Sequence, residues 1–352
     1  MSFFKFLSFF TILATIANSQ IFHKNTSVIE RFKNWVEVHK IEVNDGHHLA
    51  HMFERFLDND KFIELNNAKN LSYSVGHNAY SGMDTDEFSE FMRFKTNAQM
   101  FSKENAFLRG SIPIILQQQQ YNDFDFVSLP ISIDWRLKGV VNNVRDQGQC
   151  GSCWSFSGTS AVETAVAIKT GKLYDLSEQQ SVSCAGLKYG NLGCNGGMYN
   201  NLWNWDKSGI CSENDYPYKS GTTTETGSCQ TTCSPISETK VSSYINVTPY
   251  SDDAMMSALV IGSVSIAIQA SSRSFQLYND GIYTDLQDCG NDLDHAVILT
   301  GYGSNAGQDY YILRNSWGQD WGNGGYMLIG KGSQYKPNGM CGLLMEPMYP
   351  IV

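Results

Sequence analysis

Cysteine is absent from the first 149 residues of this 352-residue chain, although the chain contains nine cysteines. Histidine has the opposite distribution, because six of the seven lie at or before His77 and His295 alone follows. A site that pairs cysteine with histidine in the second part therefore has one histidine available. Nine is an odd number, so pairing into disulfides leaves one cysteine as a candidate free thiol.

Basic residues are also scarce. The chain has 25 Lys and Arg against 35 Asp and Glu, which gives a net charge of −10. This balance argues against a nucleic-acid-binding protein, which would present a basic face. Charged residues make up 17% of the chain and hydrophobic residues 42%. That composition excludes wholesale disorder, and the length suggests about two domains.

Long apolar runs are missing except near the amino terminus, where residues 6–16 fall short of the roughly 20 residues that span a bilayer. We predict that residues 1–19 are a signal peptide. Lys5 supplies the basic region, and Ala17 and Ser19 are the small residues before the cleavage site. No membrane span is expected after signal removal, and the secretory route permits disulfides.

The remaining sequence changes texture once. Residues 20–110 are predicted to be mostly helical, because apolar residues such as Leu49, Met52 and Phe56 recur at helical spacing. Residues 111–128 are predicted to be a linker. From Leu129 onward the chain is rich in Gly, Cys and Tyr. We predict a helix over 151–169 that Gly171 ends, and strands over 264–270, 296–302, 310–314 and 325–329, which together indicate an α+β fold.

The most specific motif is the run QGQCGSCWSF at residues 147–156. Cys153 begins the predicted helix, and the partial positive charge of a helix N-terminus favours a thiolate. A neighbouring imidazolium would lower the thiol pKa further. The alternative is that Cys150 and Cys153 form a redox pair or a metal knuckle. It is weak, because no second C-x-x-C completes a zinc site and no thioredoxin-like pattern surrounds the motif.

Residues 150–154 match the C-G-[SA]-C-[WY] signature of papain and the cathepsins. The chain resembles a papain-like, cathepsin L-type cysteine protease precursor of the peptidase C1 family over essentially its whole length. The resemblance implies a two-lobed α+β domain over 129–352, with a helical left lobe and a β-barrel-like right lobe. It also implies that 20–110 is a mostly helical inhibitory prodomain and that 111–128 contains the activation cleavage site.

The resemblance assigns four catalytic roles. Cys153 is the expected nucleophile, and His295 is the expected base that keeps it as a thiolate. The alternative for His295, a satisfied core histidine, is outweighed because the second part has no other histidine. Asn315 is expected to orient the imidazole, with Trp317 shielding their hydrogen bond. Gln147, six residues before Cys153, is expected to stabilise the oxyanion.

A substrate groove is implied as well. Gly196 and Gly197 lack side chains, so a substrate backbone can approach them closely. Further groove or S2 residues are Met198, Tyr199, Ala267, Leu293, Asp294, Ala296 and Trp317. Glu346 is expected at the floor of an apolar S2 pocket that accepts Leu or Phe at P2 and tolerates Arg. The alternative is that Glu346 faces solvent.

The eight other cysteines are expected to form four disulfides. The resemblance implies Cys150 with Cys194 and Cys289 with Cys341. Cys184 and Cys211 pair with Cys229 and Cys233, and the sequence leaves open which takes which.

The amino-terminal motifs are partly degenerate. Phe56, Asn59, Ile63 and Asn67 match the end of the ERFNIN-type prodomain helix, whereas His48 and Met52 replace its first two letters. Gly76, Asn78 and Tyr80 match part of the next motif, where Gly82 replaces the usual Asp. The implied role of this prodomain is to lie over the groove in the reverse direction and block it.

We therefore predict a cysteine endopeptidase made as a zymogen, located in a lysosome-like vacuole or secreted. The alternatives are an inert papain-like binding protein and an exopeptidase, and the second is disfavoured because residues 184–216 contain no histidine. Expected partners are peptide and protein substrates, the chain's own prodomain and cystatin-type inhibitors. Nucleic acid, cofactors and metals are not expected, and the protein is expected to be a monomer. Asn25, Asn70 and Asn246 lie in glycosylation patterns.

Overall fold

The computed structural model describes residues 22–93 and 129–352. The predicted signal peptide, the predicted linker and the side chain of Asn25 lie outside the described residues. We call residues 22–93 the N-terminal segment.

Helices lie mostly before residue 225 and strands mostly after residue 240, as the α+β prediction requires. The helices are α1 (Phe22–Val38), α2 (Gly46–Asn67), α3 (Thr85–Phe91), α4 (Cys153–Thr170), α5 (Glu178–Cys184), α6 (Tyr199–Trp205), α7 (Ser220–Thr223), α8 (Asp252–Ile261) and α9 (Arg273–Gln276). Short 3₁₀ turns span Arg136–Lys138, Leu187–Tyr189, Ser237–Thr239, Ser333–Tyr335 and Met340–Gly342.

The strands are β1 (Tyr73–Val75), β2 (Ile133–Asp134), β3 (Ser243–Asn246), β4 (Val264–Ile268), β5 (Tyr278–Tyr283), β6 (His295–Asn305), β7 (Gln308–Arg314), β8 (Tyr326–Gly330) and β9 (Met348–Ile351). They form one sheet in the order β1-β5-β8-β7-β6-β4-β9-β3, and β2 also pairs with β6. The four predicted strands are confirmed as β4, β6, β7 and β8, with small shifts at their ends.

The sheet is not closed into a barrel, which corrects the barrel-like expectation. The ends of the strand path, β1 and β3, do not pair with each other in the described sheet. Closure would need a continuous stagger around the ring, but β9 joins β4 through the single pair Ser265 and Met348. Met348 and the nearby Tyr244 pack instead into the helical core, so this end of the sheet turns towards the helices.

Helix α4 is the centre of the helical core. It begins and ends within two residues of the predicted helix, and Gly171 ends it with a left-handed φ of 75° that glycine adopts without a Cβ clash. A Cβ at Gly158 would lie 3.2 Å from Leu202 and Tyr199 of α6. This close approach explains why a glycine interrupts an otherwise good helix sequence.

Two buried hydroxyls join α4 to the sheet. Ser157 Oγ donates to the carbonyl of Val297 on β6 at 2.8 Å. Ser265 Oγ on β4 donates to the carbonyl of Ser157 at 3.2 Å. The first turn of α4 is therefore fixed against the first residues of β6.

Four disulfides account for eight of the nine cysteines. Cys150 is bonded to Cys194, and Cys289 to Cys341. The pairing that the sequence left open is Cys184 with Cys229 and Cys211 with Cys233. Cys153 is the remaining free cysteine, and it is buried.

The N-terminal segment has an aromatic core of its own. Phe32 and Trp35 of α1 pack on Phe56 of α2, with ring centroids 5.3 and 5.4 Å away. The segment also shares the core of the sheet, because Tyr80, Phe88 and other buried residues of the segment belong to the same hydrophobic cluster as the strands. Strand β1 adds to the sheet edge by pairing antiparallel with β5.

Gly82, which replaces the aspartate that the motif led us to expect, is enclosed by the N-terminal core. A Cβ at this position would lie 2.7 Å from Cη2 of Trp35 and 3.5 Å from Cβ of Met52. Two of the three departures from the prodomain motifs, Met52 and Gly82, therefore meet at one apolar contact under Trp35.

We predict that Gly82→Asp destabilises the full chain by about 3 kcal/mol, because the new carboxylate would be overpacked and buried against apolar groups without a cation. Urea unfolding measures this loss. Gly186→Asp is the matched control, because nothing lies within 4 Å of a Cβ at Gly186. Equal stability of the two variants would contradict the packing argument.

Candidate active site

The free thiol lies at the start of α4. Cys153 is the first residue of the helix and follows Ser152 at the N-cap. The loop before it is fixed to the next loop of the groove, because the amide of Gly151 donates to the carbonyl of Cys194 at 2.9 Å. The Cys150–Cys194 disulfide links the same two loops covalently.

His295 and Asn315 meet because two paired strands end together. His295 opens β6 and Asn315 directly follows the last residue of β7. The strands run antiparallel, with Ile298 opposite Arg314, so the start of one lies beside the end of the other. Nε2 of His295 is 2.8 Å from Oδ1 of Asn315. The same Oδ1 also accepts the amide of Ser316 at 2.8 Å, which fixes its orientation.

Trp317 covers this pair. Its ring stacks on the imidazole of His295 with centroids 4.8 Å apart. Phe88 of the N-terminal segment meets the indole edge-on at 5.2 Å, and the Tyr80 hydroxyl donates to the Trp317 carbonyl at 3.3 Å. Because Trp317 is 2% exposed, the hydrogen bond between His295 and Asn315 is shielded from water.

Burial decides the charge of the thiol and the imidazole in this covered form. Burial raises the pKa of Cys153 to about 12, although backbone N–H groups of Ala296 and Trp154 oppose that rise. Burial lowers the pKa of His295 to about 4, against the opposing hydrogen bond to Asn315. Both groups are therefore neutral near pH 7, whereas a thiolate–imidazolium pair was expected from the sequence.

Gln147 is buried in the loop before Cys153. Its side-chain Nε2 donates to the carbonyl of Cys150 at 3.0 Å, and its Oε1 accepts the Ser316 hydroxyl at 2.7 Å. Its backbone amide donates to the carbonyl of Ser316 at 2.8 Å. The side chain is thus fixed between the Cys150 loop and the residue that follows Asn315.

The predicted groove residues fall into two groups. Five of the ten pack in one buried cluster with Cys153, namely Met198, Tyr199, Ala267, Leu293 and Ala296. Gly196 and Gly197 are also buried, and a Cβ at Gly197 would lie 2.5 Å from Oδ1 of Asn191.

Asp294 and Glu346 differ in environment. The carboxylate of Asp294 accepts the backbone amides of Ala270 and Ser271, so this side chain is used inside the fold. Burial raises the pKa of Asp294 to about 7. Glu346 is half-buried, and its backbone carbonyl accepts the hydroxyl of Tyr199.

Contacts between the N-terminal segment and residues 129–352 complete the site. Two residues that make these contacts, Gln276 and Arg93, were not predicted from the sequence. Buried Gln276 donates from Nε2 to the carbonyls of Tyr80 and Met83 and accepts Nδ2 of Asn78 at its backbone carbonyl, at 2.7 to 3.2 Å. Arg93 donates to Oδ1 of Asn195 at 2.7 Å. No local motif marks Gln276 or Arg93, since each acquires its role only when distant segments meet.

Residues 129–351 match the sequence profile described as papain family cysteine protease. The chain belongs to the papain family of cysteine proteases. Its enzyme class is therefore that of the cysteine peptidases, and Gln147, Cys153, His295 and Asn315 all lie in the part of the chain that the profile covers.

Two curated relatives are plant proteins. RD21B of Arabidopsis thaliana, named a probable cysteine protease, is 37% identical over 336 residues, which cover 93% of this chain and 68% of RD21B. Vignain of Phaseolus vulgaris is 35% identical over 353 residues, which cover 97% of this chain and 92% of vignain.

Solved structures of proforms resemble the whole arrangement. The ragweed pollen allergen Amb a 11, a cysteine protease solved in its proform, has 30% identity and a TM-score of 0.77. The likeness covers 92% of this chain and 94% of that one. Since residues 129–352 are less than two thirds of the chain, it extends well into the N-terminal part. The papain-like proenzyme fold is therefore shared, including the segment that precedes residue 129.

Within residues 22–93 and 129–352, no helix combines the length and apolar character that a membrane crossing requires.

Proposed function

We propose that this chain is the zymogen of a cysteine endopeptidase that hydrolyses peptide bonds through Cys153 and His295. One observation carries the proposal: the only free cysteine starts a helix beside the strand end where His295 and Asn315 meet at 2.8 Å. A free thiol at a helix N-terminus and a histidine oriented by a third group are the parts that nucleophilic catalysis requires.

The proposed mechanism has two stages. The Cys153 thiolate attacks the scissile carbonyl carbon, and His295 donates a proton to the leaving amine. Negative charge on the carbonyl oxygen is stabilised by the Cys153 backbone N–H and one N–H of Gln147. Water then hydrolyses the acyl-enzyme, with His295 accepting the proton. Asn315 accepts the other imidazole proton and keeps the ring in place.

The N-terminal segment is proposed to belong to an inhibitory prodomain that spans residues 20–110 and is cleaved before residue 129. It covers Trp317 with Tyr80 and Phe88, and Arg93 contacts the Asn195 loop. Burial keeps the Cys153 and His295 pair neutral in this form. Departure of the segment would admit water, which favours the charged pair.

An inert binding protein and an exopeptidase are less well supported. An inert homologue would not need Gln147, Cys153, His295 and Asn315 together in one buried constellation. The exopeptidase alternative expects a histidine-bearing loop, and residues 184–216 contain no histidine.

The setting is proposed to be a lysosome-like vacuole or the extracellular space. Four disulfides form in oxidising compartments. The exposed side chains of Asn70 and Asn246 are proposed glycosylation sites. Protein substrates and cystatin-type inhibitors are the proposed partners of the mature monomer.

Labelling by an epoxide thiol inhibitor tests the catalytic proposal. After acid activation, we expect one label per chain, on Cys153, and none on the Cys153→Ala variant. Gln147→Ala should keep the label but lower kcat by roughly 100- to 1000-fold, because it removes one oxyanion donor. A correctly processed chain that hydrolyses no peptide and takes up no label would instead support the inert homologue.

The P2 specificity is proposed to combine an apolar pocket with an acidic floor. Met198, Ala267 and Ala296 lie in the same cluster as Cys153, which suits Leu or Phe. Glu346 contacts Tyr199, the pocket residue next to Met198, and is half-buried. A partly desolvated carboxylate there would attract a guanidinium.

Substrate pairs that differ only at P2 test the acidic floor. We expect Glu346→Ala to reduce kcat/KM for P2-Arg roughly tenfold while P2-Leu changes little, since the lost interaction is one partly screened ion pair. Asp309→Ala, which removes a surface carboxylate on β7, is the control. An equal effect of Glu346→Ala on both substrates would reject the proposed floor.

Acid is proposed to loosen the N-terminal segment through its histidines and carboxylates. Burial lowers the pKa of His77, and the imidazole stacks on Phe56 at 4.0 Å while Nε2 lies 3.1 Å from Asp60. Burial acts to raise the pKa of Asp60, but hydrogen bonds from Arg31 and His77 outweigh burial and hold this pKa below its ordinary value. Both shifts make the folded segment bind fewer protons than the unfolded one. Stability is therefore present at neutral pH and is lost as the pH falls, first below about 6.5 for His77.

We predict that His77→Gln weakens this acid dependence. The measurement is the unfolding free energy of Cys153→Ala full chain between pH 7.5 and 5, in which proteolysis cannot interfere. The loss between the two pH values should be smaller for His77→Gln than for the parent, whereas the exposed-site control His47→Gln should match the parent. An unchanged pH slope in the His77 variant would count against the histidine contribution.

A further inference from the structure

Tyr218 bridges the two segments that carry the proposed oxyanion donors. Its hydroxyl donates to the backbone carbonyl of Gln147 at 2.8 Å and lies 2.7 Å from Oγ of Ser152. Gln147 carries the side-chain donor, and Ser152 immediately precedes the backbone donor of Cys153. We propose that Tyr218 is a positioning residue that sets the distance between these two donors; this rests on the proposed function.

The bridge is a direct contact between the Gln147 backbone and the start of α4, which are otherwise joined through the Gln147 side chain and the carbonyl of Cys150. Gln147 lies in a loop, whereas Ser152 is the N-cap of α4 and makes no side-chain capping bond. The Ser152 hydroxyl is therefore available to Tyr218, and its remaining contact is a long 3.4 Å bond to the carbonyl of Cys150. The Tyr218 hydroxyl therefore contacts both the start of α4 and the Gln147 loop.

Tyr218 is itself held at both ends. Its backbone amide donates to Oε1 of Glu213 at 2.9 Å, and Glu213 pairs with Arg145 at 2.9 Å. Its ring meets Phe156 of α4 edge-on, with centroids 4.9 Å apart. Because the Tyr218 ring is fixed, its hydroxyl holds a constant position between the Gln147 carbonyl and the Ser152 hydroxyl.

The Gln147 loop fits closely against the segment that follows Tyr218. The amide of Gln149 donates to the carbonyl of Gly221 at 2.9 Å. A Cβ at Gly221 would lie 2.8 Å from the carbonyl oxygen of Gln147, so the two backbones leave no room for a side chain. Gly148 allows this turn with a φ of +54°. The Tyr218 hydroxyl therefore contacts the loop that carries Gln147, whose side chain is the proposed donor to the developing oxyanion.

Loss of this bridge should affect the transition state more than the ground state. Oxyanion donors contribute only when they lie within a few tenths of an ångström of the developing charge. Burial also raises the pKa of Tyr218, so its hydroxyl remains a donor throughout the working pH range.

The test uses Tyr218→Phe in the acid-activated enzyme, because phenylalanine keeps the ring on Phe156 and removes the hydroxyl. We expect kcat to fall by about tenfold with little change in KM, as a small misplacement of a donor would cause. The affinity for a peptide aldehyde, whose thiohemiacetal oxygen occupies the oxyanion position, should fall by a similar factor. The rate of Cys153 labelling by an epoxide, which develops no oxyanion there, should stay unchanged and shows that the site is folded.

Tyr216→Phe is the matched control. Tyr216 lies in the same Tyr-Pro-Tyr run as Tyr218, and its hydroxyl also has two partners, the amide of Gln230 and the carbonyl of Ser228. Neither partner lies in a segment that carries a proposed oxyanion donor. This control should leave kcat and aldehyde affinity unchanged. In a Gln147→Ala background, Tyr218→Phe should cause no further loss, because Tyr218 acts through Gln147.

Three outcomes would overturn the inference: unchanged kcat and aldehyde affinity in Tyr218→Phe, an equal loss in Tyr216→Phe, or a full additional loss in the Gln147→Ala background. Failure of the proposed function is distinguishable, since the parent enzyme would then neither hydrolyse peptides nor take up the epoxide label.

Discussion

The hydrogen bond from the Ser157 hydroxyl to the Val297 carbonyl fixes the position of α4 relative to β6, on which the rest of the site depends. Ser157 lies one turn after Cys153 on α4, and Val297 lies two residues after His295 on β6. Both contribute to the contact between two of the hydrophobic clusters of the described residues, the helical cluster and the sheet cluster. Because interiors are close-packed and respond to small shifts, this contact and its neighbours leave the thiol and the imidazole one relative position.

The N-terminal segment packs on the core of the sheet. Its buried residues Tyr73, Tyr80 and Phe88 belong to the hydrophobic cluster that holds Trp317, so the cover of the site is an extension of the core and not a separate layer. The main-chain pairing of β1 with β5 and the amide of Gln276 add directional contacts to that apolar surface. Docking therefore combines apolar burial with directional hydrogen bonds from main-chain and amide groups, which do not titrate.

Much of this could be predicted from sequence because the features were local or countable. Cys153 was expected from the C-G-S-C-W signature and His295 from being the solitary histidine of the second part, whereas β6 and β7 followed from their apolar patterns. The open sheet could not be predicted, since it depends on where β9 leaves β4. The partner of Cys229 could not be predicted either, because two cysteines four residues apart are equivalent until the chain folds. Gln276, Arg93 and Tyr218 were missed for the same reason: each acts on a segment far away in sequence.

The ion pair expected from the sequence and the neutral forms that burial favours are both consequences of one arrangement. Desolvation penalises a charge on sulfur and a charge on imidazole alike, and here both groups are fully buried. The helix N-terminus and the backbone N–H groups near Cys153 favour the thiolate but do not outweigh burial. In the proposed activation, water that reaches the two groups reduces this desolvation penalty, while the favourable dipoles are already in place. A cover that excludes water can therefore keep the nucleophile protonated without displacing any of the residues proposed to activate it.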